Sequence, residues 1–191
     1  MLIVFMGPPV SGKGTQSGLL LEKLNLTALS TGEMLRAAKC SGSEFGEMIK
    51  LKLDTGQLIE DEHVLKLVID SLEAPKAAGG ALLDGFPRTI GQAEAFDQYL
   101  LSQGMHLDLV VQLIVPVEDL ITRLNGRYEE MANPRPEDHP DFIRRRFDIY
   151  ETVTKPLENY YAARGVLQQI DGFGEVDEVF KRIENAVANL R

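Results

Sequence analysis

The chain has 191 residues, of which 44% are hydrophobic and 26% charged, and its formal net charge is −9. This length suits one domain with room for small inserted subdomains. The acidic charge argues against nucleic acid or an anionic membrane as a partner. A single cysteine, Cys40, excludes an intrachain disulfide and a cysteine-based zinc site. Met1–Met6 lacks the basic region of a signal peptide, and no apolar run approaches the ~18 residues of a membrane span, so we expect a cytoplasmic protein.

Short apolar runs alternate along the chain with helical patterns. The runs that predict strands are Leu2–Met6, Leu26–Leu29, Gly80–Leu83, Leu109–Val115 and Val166–Ile170. The patterns that predict helices are Gly12–Lys23, Thr31–Cys40, Ser43–Thr55, Asp61–Glu73, Ile90–Gln103, Val117–Asn125, Pro140–Tyr161 and Glu175–Leu190. This alternation predicts an α/β fold of three layers, α/β/α, with a five-stranded parallel sheet.

Two stretches depart from simple alternation. About fifty residues of helical pattern separate the second and third strands, more than one crossover needs, so we expect a helical subdomain there. The polar segment Tyr128–Pro140 contains three prolines and predicts a mobile loop between two helices. Ser30 and Thr31 at one helix start and Asp61 at another are capping signals.

The strongest local signal is the segment Gly7–Thr15, here called the phosphate loop. It matches the G-x-x-x-x-G-K core of a phosphate-binding loop, with a buried strand before it and a helix after it. Glycines let backbone N–H groups turn towards phosphate oxygens, and the helix N-terminus adds partial positive charge. Lys13 can reach the outer phosphates, so the segment predicts a site for a nucleotide polyphosphate.

A second motif, Asp84–Thr89, follows the third predicted strand. An acidic residue at the carboxyl end of a strand beside such a loop can organise Mg²⁺ through water, which is the role we predict for Asp84. Arg88 can bind a phosphate through two parallel hydrogen bonds. Further arginines concentrate downstream, and they predict a local anion site in an otherwise acidic chain: Arg123, Arg127, Arg135, Arg144, Arg145 and Arg146. Taken alone, that run also fits a solvated helix face.

The variant Gly12–Gln16, G-K-G-T-Q, is the form found in nucleoside monophosphate kinases. Together with D-G-F-P-R-T at Asp84–Thr89 and S-T-G-E-M-L-R at Ser30–Arg36, it makes the chain resemble the adenylate kinase family. The segment between Arg127 and Arg135 is short, so the resemblance is to the short-lid form without zinc. It covers nearly the whole chain and implies a core of residues 1–29, 60–124 and 139–191, an AMP-binding subdomain at about 30–59 and a lid at about 125–138.

The resemblance also implies a role for individual residues. Contacts to ATP are implied for Val10, Ser11, Gly12, Lys13, Gly14, Thr15, Arg123, Arg127 and Gly174. Contacts to AMP are implied for Thr31, Arg36, Gln57, Leu58, Ile59, Gly85, Phe86, Pro87, Arg88, Gln92, Arg135 and Arg146. The residues implied in catalysis are Lys13, Arg88, Arg123, Arg135 and Arg146. Threonine at 31 with glutamine at 92 favours AMP, because pyrimidine kinases of this kind typically have alanine and asparagine there.

Two positions depart from the family pattern, Glu137 and Val10, and Gly14 departs only from the general phosphate-loop pattern. The hydroxyl that usually follows the lysine comes one place later, at Thr15, because position 14 is glycine. Glu137 stands where aspartate is usual in the lid hinge. Val10 stands where glycine is usual, and a β-branched residue with φ > 0 is strained by about 1–3 kcal/mol.

The resemblance implies an ATP:AMP phosphotransferase that uses Mg²⁺, produces ADP and acts as a monomer. Two alternatives stay open on the sequence. The acceptor can be another nucleoside monophosphate, which a comparison of AMP, GMP, CMP and UMP would decide. The chain can also be a nucleotide-binding regulator without turnover, a possibility raised by Val10, in which case ATP binds tightly without ADP formation.

Overall fold

The structure is a computed structural model that describes residues 1–74, 77–130 and 139–188, and of 125–130 and Pro140 only the backbone. The strands are β1 (Leu2–Met6), β2 (Thr27–Ser30), β3 (Ala81–Asp84), β4 (Leu109–Ile114) and β5 (Leu167–Asp171). The helices are α1 (Lys13–Leu24), α2 (Thr31–Cys40), α3 (Glu44–Asp54), α4 (Asp61–Leu72), α5 (Ile90–Ser102), α6 (Val117–Glu130), α7 (Pro140–Ile149), α8 (Leu157–Ala162) and α9 (Val176–Ala188). The strands form one parallel sheet in the order β2-β3-β1-β4-β5, which confirms the predicted α/β fold.

Both faces of the sheet are covered. Every residue of β1 is buried, and alternate side chains enter two different apolar clusters: Val4 lies in one, Ile3 and Phe5 in the other. Successive strand side chains point to opposite faces, so a strand buried on both sides is apolar throughout. The first cluster takes its helical partners from α2, α3, α4, α5 and α8, and the second from α1 and α9.

The register of the strands brings three loops to one edge of the sheet. Phe5 of β1 pairs with Asp84 of β3, and Asp84 pairs with Ser30 of β2. Because these parallel strands end at the same level, the residues that follow them lie side by side at their carboxyl ends. Open parallel sheets bind ligands at this edge.

Helices α2 and α3 pack closely on each other. Ser30 accepts a hydrogen bond from the backbone N–H of Glu33 at the start of α2, and Ser43 accepts one from Gly46 at the start of α3. A Cβ atom on Gly46 would lie 2.3 Å from the carbonyl oxygen of Ala38, so only glycine lets the two backbones approach this far. Ile49 is fully buried in the apolar cluster on that face of the sheet.

The predicted helix Pro140–Tyr161 is wrong as one continuous helix. It is divided into α7, a π-helical turn at Tyr150–Thr154 and α8. The break has a local cause: Pro156 has no N–H, and in a regular helix its ring would meet the carbonyl group four residues earlier. The N–H of Lys155 instead donates to Tyr150, 2.7 Å away and five residues back, which widens the last turn before the proline.

Two other predictions of local structure were wrong. The helix expected to end at Asn125 continues as α6 to Glu130, so Tyr128–Glu130 of the predicted loop are helical, while residues 131–138 lie outside the described residues. Asp61 does not cap α4; the cap position is Glu60, whose side chain makes no capping bond. No helix among the described residues is long and apolar enough to cross a bilayer.

Candidate functional site

The phosphate loop connects β1 to α1. Gly7 and Gly12 have φ of 149° and 95°, and a Cβ on Gly7 would lie 2.9 Å from the Oγ of Ser11, so the turn needs glycine. Nζ of Lys13 donates to the carbonyl oxygens of Gly7 and Pro8, at 2.8 Å in each case. The lysine therefore lies across the loop and places its charge beside the N-terminus of α1.

Two features of the loop favour an anion. The first turn of α1 carries no acidic residue, so no side chain of that turn offsets the partial positive charge of the helix N-terminus. Ser11 Oγ is buried and has no hydrogen-bond partner among the described residues. A buried hydroxyl without a partner is unfavourable, and an oxygen-rich ligand would relieve it.

Val10 has φ of 56°, in the left-handed region. Val10 is one of the positions at which the sequence departs from the family pattern, and its conformation is the one that makes a β-branched side chain unfavourable. The strain expected from the sequence is therefore present in the loop. Val10 also borders both clefts described below.

Arg123 joins the phosphate loop to the loop after β5. Its Nη1 donates to the carbonyl oxygen of Ser11 at 3.1 Å, and its Nη2 donates to that of Gly172 at 2.9 Å. A Cβ on Gly172 would lie 2.7 Å from Cγ2 of Val115, so the close approach requires glycine. Sequence reasoning singled out Gly174 in this loop and missed the role of Gly172, although both lie in the segment Asp171–Gly174, D-G-F-G.

The phosphate loop opens onto a first cleft, which Asp84, Pro87 and Arg123 also line. Every predicted ATP contact from Val10 to Thr15 borders it, whereas Gly174 does not. Arg127 lies one turn after Arg123 on α6, but its side chain is outside the described residues.

A second cleft lies between α2, the segment after α3, the loop after β3 and α7. It brings together most of the predicted AMP contacts: Thr31, Arg36, Gln57, Leu58, Ile59, Gly85, Arg88, Gln92 and Arg146. Phe86 is not among its lining residues, because its ring is 1% exposed and packs edge-on against Phe96 in the core, with ring centroids 5.2 Å apart. Arg135 lies outside the described residues.

The loop after β3 is held tightly in this second cleft. The hydroxyl of Thr31 donates to the carbonyl oxygen of Gly85 at 2.9 Å, and Nε of Arg88 donates to the same oxygen at 2.8 Å. Gly85 has φ of 80°, and a Cβ there would lie 2.8 Å from Oγ1 of Thr31. The carbonyl oxygen of Gly85 is thus a hydrogen-bond acceptor that Thr31 and Arg88 share.

Arg36, Arg88 and Arg146 line both clefts, so they mark where the two meet. The pKa of Arg88 is lowered to about 10, chiefly by burial and also by the positive charges of Arg146 and Arg36, against the opposing effect of Asp84. Guanidinium groups that repel each other and lose water are stabilised by an anion between them. The junction therefore has the positive charge and the burial that suit a phosphate group.

Gln92 lies at the wall of the second cleft and is 2% exposed. Its side-chain oxygen accepts from the backbone N–H of Arg88 at 2.7 Å, and its side-chain nitrogen donates to Asp61 at 2.8 Å. Sequence reasoning treated Asp61 as a helix cap and missed this bond. Asp61 and Gln92 are 31 residues apart in the sequence, so no local pattern could reveal the bond between them.

The residues at the first cleft fit a magnesium ion held through water. Asp84 supplies a carboxylate and Thr15 an exposed hydroxyl on the lining of the same cleft, and oxygen ligands are those that Mg²⁺ prefers. Among the residues that the structure describes, no group of three or more histidine, cysteine or acidic side chains is arranged to hold a metal directly.

A parallel sheet of this strand order, with a phosphate loop after β1 and two adjoining clefts that share arginines, defines a nucleotide phosphotransferase of the phosphate-loop class. Comparison with known proteins narrows this class. The adenylate kinase family model matches residues 5–166. The chain belongs to the adenylate kinase family.

Individual adenylate kinases are similar in sequence to this chain over almost its full length. An adenylate kinase of Caulobacter vibrioides (strain NA1000 / CB15N) is 44% identical over 187 residues, which cover 98% of this chain and 97% of that protein. An adenylate kinase of Stenotrophomonas maltophilia (strain K279a) is 43% identical over 187 residues, covering 98% and 99%. One of Maricaulis maris (strain MCS10) is 44% identical, covering 98% of both chains.

Proposed function

We propose that this protein catalyses the reversible transfer of the γ-phosphoryl group of Mg·ATP to AMP, giving two ADP. Membership of the adenylate kinase family supports the reaction. The observation that carries the assignment of the site is the meeting of two clefts at Arg36, Arg88 and Arg146. A phosphoryl group passing between two nucleotides needs positive charge where they meet.

ATP is assigned to the first cleft. Lys13 and the N-terminus of α1 bind its outer phosphates, and Arg123 borders its nucleotide on the side of the β5–α9 loop. Mg²⁺ held through water by Asp84 would neutralise phosphate charge and fix the geometry of the polyphosphate. Arg127 and Arg135 are proposed to complete the site from the lid at about 125–138.

AMP is assigned to the second cleft, in the subdomain at about 30–59. Arg36 binds its phosphate, and the backbone of Gln57–Ile59 lines the base. Thr31 directs its proton to Gly85, so its oxygen can accept from the 6-amino group of adenine. Gln92 offers an acceptor and a donor to the same base, and together these two side chains favour AMP as the acceptor.

Catalysis by these residues is electrostatic. In phosphoryl transfer the charge spreads over the oxygens of the moving group, and little covalent chemistry is left to the protein. Lys13, Arg88, Arg123, Arg135 and Arg146 are proposed to stabilise that charge while Arg36 aligns the acceptor, so no general base is assigned. Closure of the lid would exclude water and prevent hydrolysis of ATP. We further propose that the enzyme works as a monomer in the cytoplasm.

A coupled assay of ADP formation from ATP and AMP with Mg²⁺ tests the reaction directly. In the same assay Lys13→Ala is expected to lower kcat by at least about 100-fold while leaving the circular dichroism spectrum unchanged, since the charge on the outer phosphates is lost. Gln92→Ala is the companion variant and should raise KM for AMP far more than KM for ATP. A near-normal kcat for Lys13→Ala would refute the assigned phosphate loop. ATP binding with no ADP formation in the unmodified protein would favour a regulator instead.

A further inference from the structure

We propose that Asp61 is a positioning residue that fixes the orientation of the Gln92 side-chain amide and thereby sets the preference for a 6-amino over a 6-oxo purine. The inference rests on the proposed function, because it takes Gln92 to face the acceptor base. It concerns a residue in the first turn of α4 whose carboxylate accepts hydrogen bonds from Gln92 and Thr89.

The bonds around Gln92 allow one orientation of its amide. Oδ1 of Asp61 accepts from Nε2 of Gln92 at 2.8 Å, and the backbone N–H of Arg88 donates to Oε1 at 2.7 Å. A carboxylate only accepts and a backbone N–H only donates. Rotating the amide by 180° would set oxygen against oxygen at Asp61 and N–H against N–H at Arg88.

Thr89 ties Asp61 into the same network. Its hydroxyl donates to Oδ2 of Asp61 at 2.7 Å and accepts from the backbone N–H of Gln92 at 3.0 Å, as the cap of α5. Both carboxylate oxygens of Asp61 are therefore engaged, one by the side chain of Gln92 and one by the residue that starts its helix. This double attachment holds the carboxylate where it can direct the amide.

The fixed amide presents a definite pattern to the cleft. After the bonds to Asp61 and Arg88, Gln92 has one N–H and one lone pair of Oε1 left, and no other described residue takes them. Adenine offers a 6-amino donor next to a ring nitrogen that accepts, which complements this pair. Hypoxanthine has an oxygen at position 6, which would face the lone pair of Oε1 and be repelled.

Loss of the carboxylate should therefore change specificity and not only affinity. Asparagine has the same shape as aspartate, and its NH₂ group can donate to Oε1 of a rotated Gln92. A hydrogen bond to a charged group is worth roughly a 10- to 100-fold preference, while the N–H of Arg88 still favours the original orientation. We expect discrimination to weaken and not to reverse.

The experiment measures kcat/KM for AMP and for IMP as acceptors in the unmodified enzyme, Asp61→Asn, Asp61→Ala and Glu62→Gln. The unmodified enzyme should prefer AMP by well over 10-fold. Asp61→Asn should raise the IMP:AMP ratio at least about 10-fold with KM for ATP unchanged, and Asp61→Ala should raise it less, because alanine cannot hold the rotated amide. Glu62→Gln removes a neighbouring exposed charge in the same turn of α4 and should leave the ratio unchanged.

Several outcomes would overturn the inference. An IMP:AMP ratio for Asp61→Asn within twofold of the unmodified enzyme, or equal losses on both acceptors, would leave Asp61 a purely structural residue. If the Asp61 variants fail to fold, calorimetric titration of AMP and IMP into the unmodified enzyme decides, and equal affinities refute the proposal. Gln92→Ala separates the two hypotheses: unchanged KM for AMP in that variant refutes the assignment of Gln92 itself and the inference with it. A raised KM there, combined with an unchanged ratio in Asp61→Asn, refutes the inference alone.

Discussion

At the scale of the single residue, Val10 is the clearest conflict between side chain and backbone. Its φ of 56° costs a β-branched residue about 1–3 kcal/mol, whereas glycine adopts the same conformation freely. Val10→Gly should therefore increase the free energy of unfolding by about 1 kcal/mol after the added chain entropy is subtracted. Chemical denaturation measures this, and ATP titration shows whether the relaxed loop also binds more tightly.

Val10→Ala provides the matched control for that variant. Alanine keeps a Cβ atom at positive φ but removes the branch, so its stability should fall between those of valine and glycine. Equal or lower stability of the glycine variant would mean that packing of the valine side chain outweighs its backbone strain, and that the substitution is accommodated.

Two adjacent tyrosines should respond in opposite ways to loss of the hydroxyl. Tyr161 is fully buried and its hydroxyl has no hydrogen-bond partner among the described residues, whereas the hydroxyl of Tyr160 donates to Asp97 at 2.7 Å. Burial raises the pKa of both, with the bond to Asp97 contributing at Tyr160, whose pKa is about 12.

Tyr161→Phe should therefore stabilise the protein by about 1 kcal/mol, because it removes an unsatisfied buried hydroxyl. Tyr160→Phe should destabilise it by about 1 kcal/mol through loss of the bond to Asp97. Thermal unfolding of the two variants side by side checks both signs. A destabilised Tyr161→Phe would reveal a partner for that hydroxyl.

At the scale of the element, the packing of α2 on α3 depends on Gly46. Its missing Cβ leaves room for the carbonyl oxygen of Ala38, and backbone atoms cannot move aside as a flexible side chain can. Gly46→Ala should destabilise the fold by about 1–3 kcal/mol and raise KM for AMP more than KM for ATP, since it pushes α3 away from α2. Gly18→Ala in α1 is the control: a Cβ there meets nothing within 4 Å, so higher helix propensity should stabilise by about 0.5–1 kcal/mol. A neutral Gly46→Ala would show that the two helices can separate without strain.

The helices and strands also show how much of the structure could be predicted from the sequence. The ends of the strands were predicted to within a residue or two. Apolar strands that are buried on both faces and followed or ended by glycine or aspartate can be predicted in this way, because their composition and their boundaries are local features of the sequence. The division of Pro140–Tyr161 depends on a π-helical turn that periodicity does not register. The site motifs were recognised by resemblance, yet the sharing of Arg36, Arg88 and Arg146 between two clefts and the bond from Asp61 to Gln92 depend on contacts between distant segments.

At the scale of the whole molecule, two clefts that share arginines should act as one extended site. A single compound in which a polyphosphate chain joins two adenosines would occupy both at once, and its second half would bind at a high effective concentration. We expect it to bind at least about 100-fold more tightly than ATP alone, measured by calorimetry. The same polyphosphate carrying one adenosine is the control. Equal affinity of the two compounds would mean that the clefts are occupied separately.

The central place of β1 has a consequence for how the protein is made. Strand β1 is synthesised before both of its neighbours: it pairs with β3 on one side and β4 on the other, so its second neighbour is complete only at Ile114. At translation rates of about 5–20 residues per second, roughly 5–20 seconds pass before the strand can be enclosed. Until then Leu2–Met6 is an apolar segment that lacks at least one of its two neighbouring strands, and such a segment is a target for holdase chaperones. The nucleotide site is thus assembled late, although its phosphate loop leaves the ribosome before β3 and β4 do.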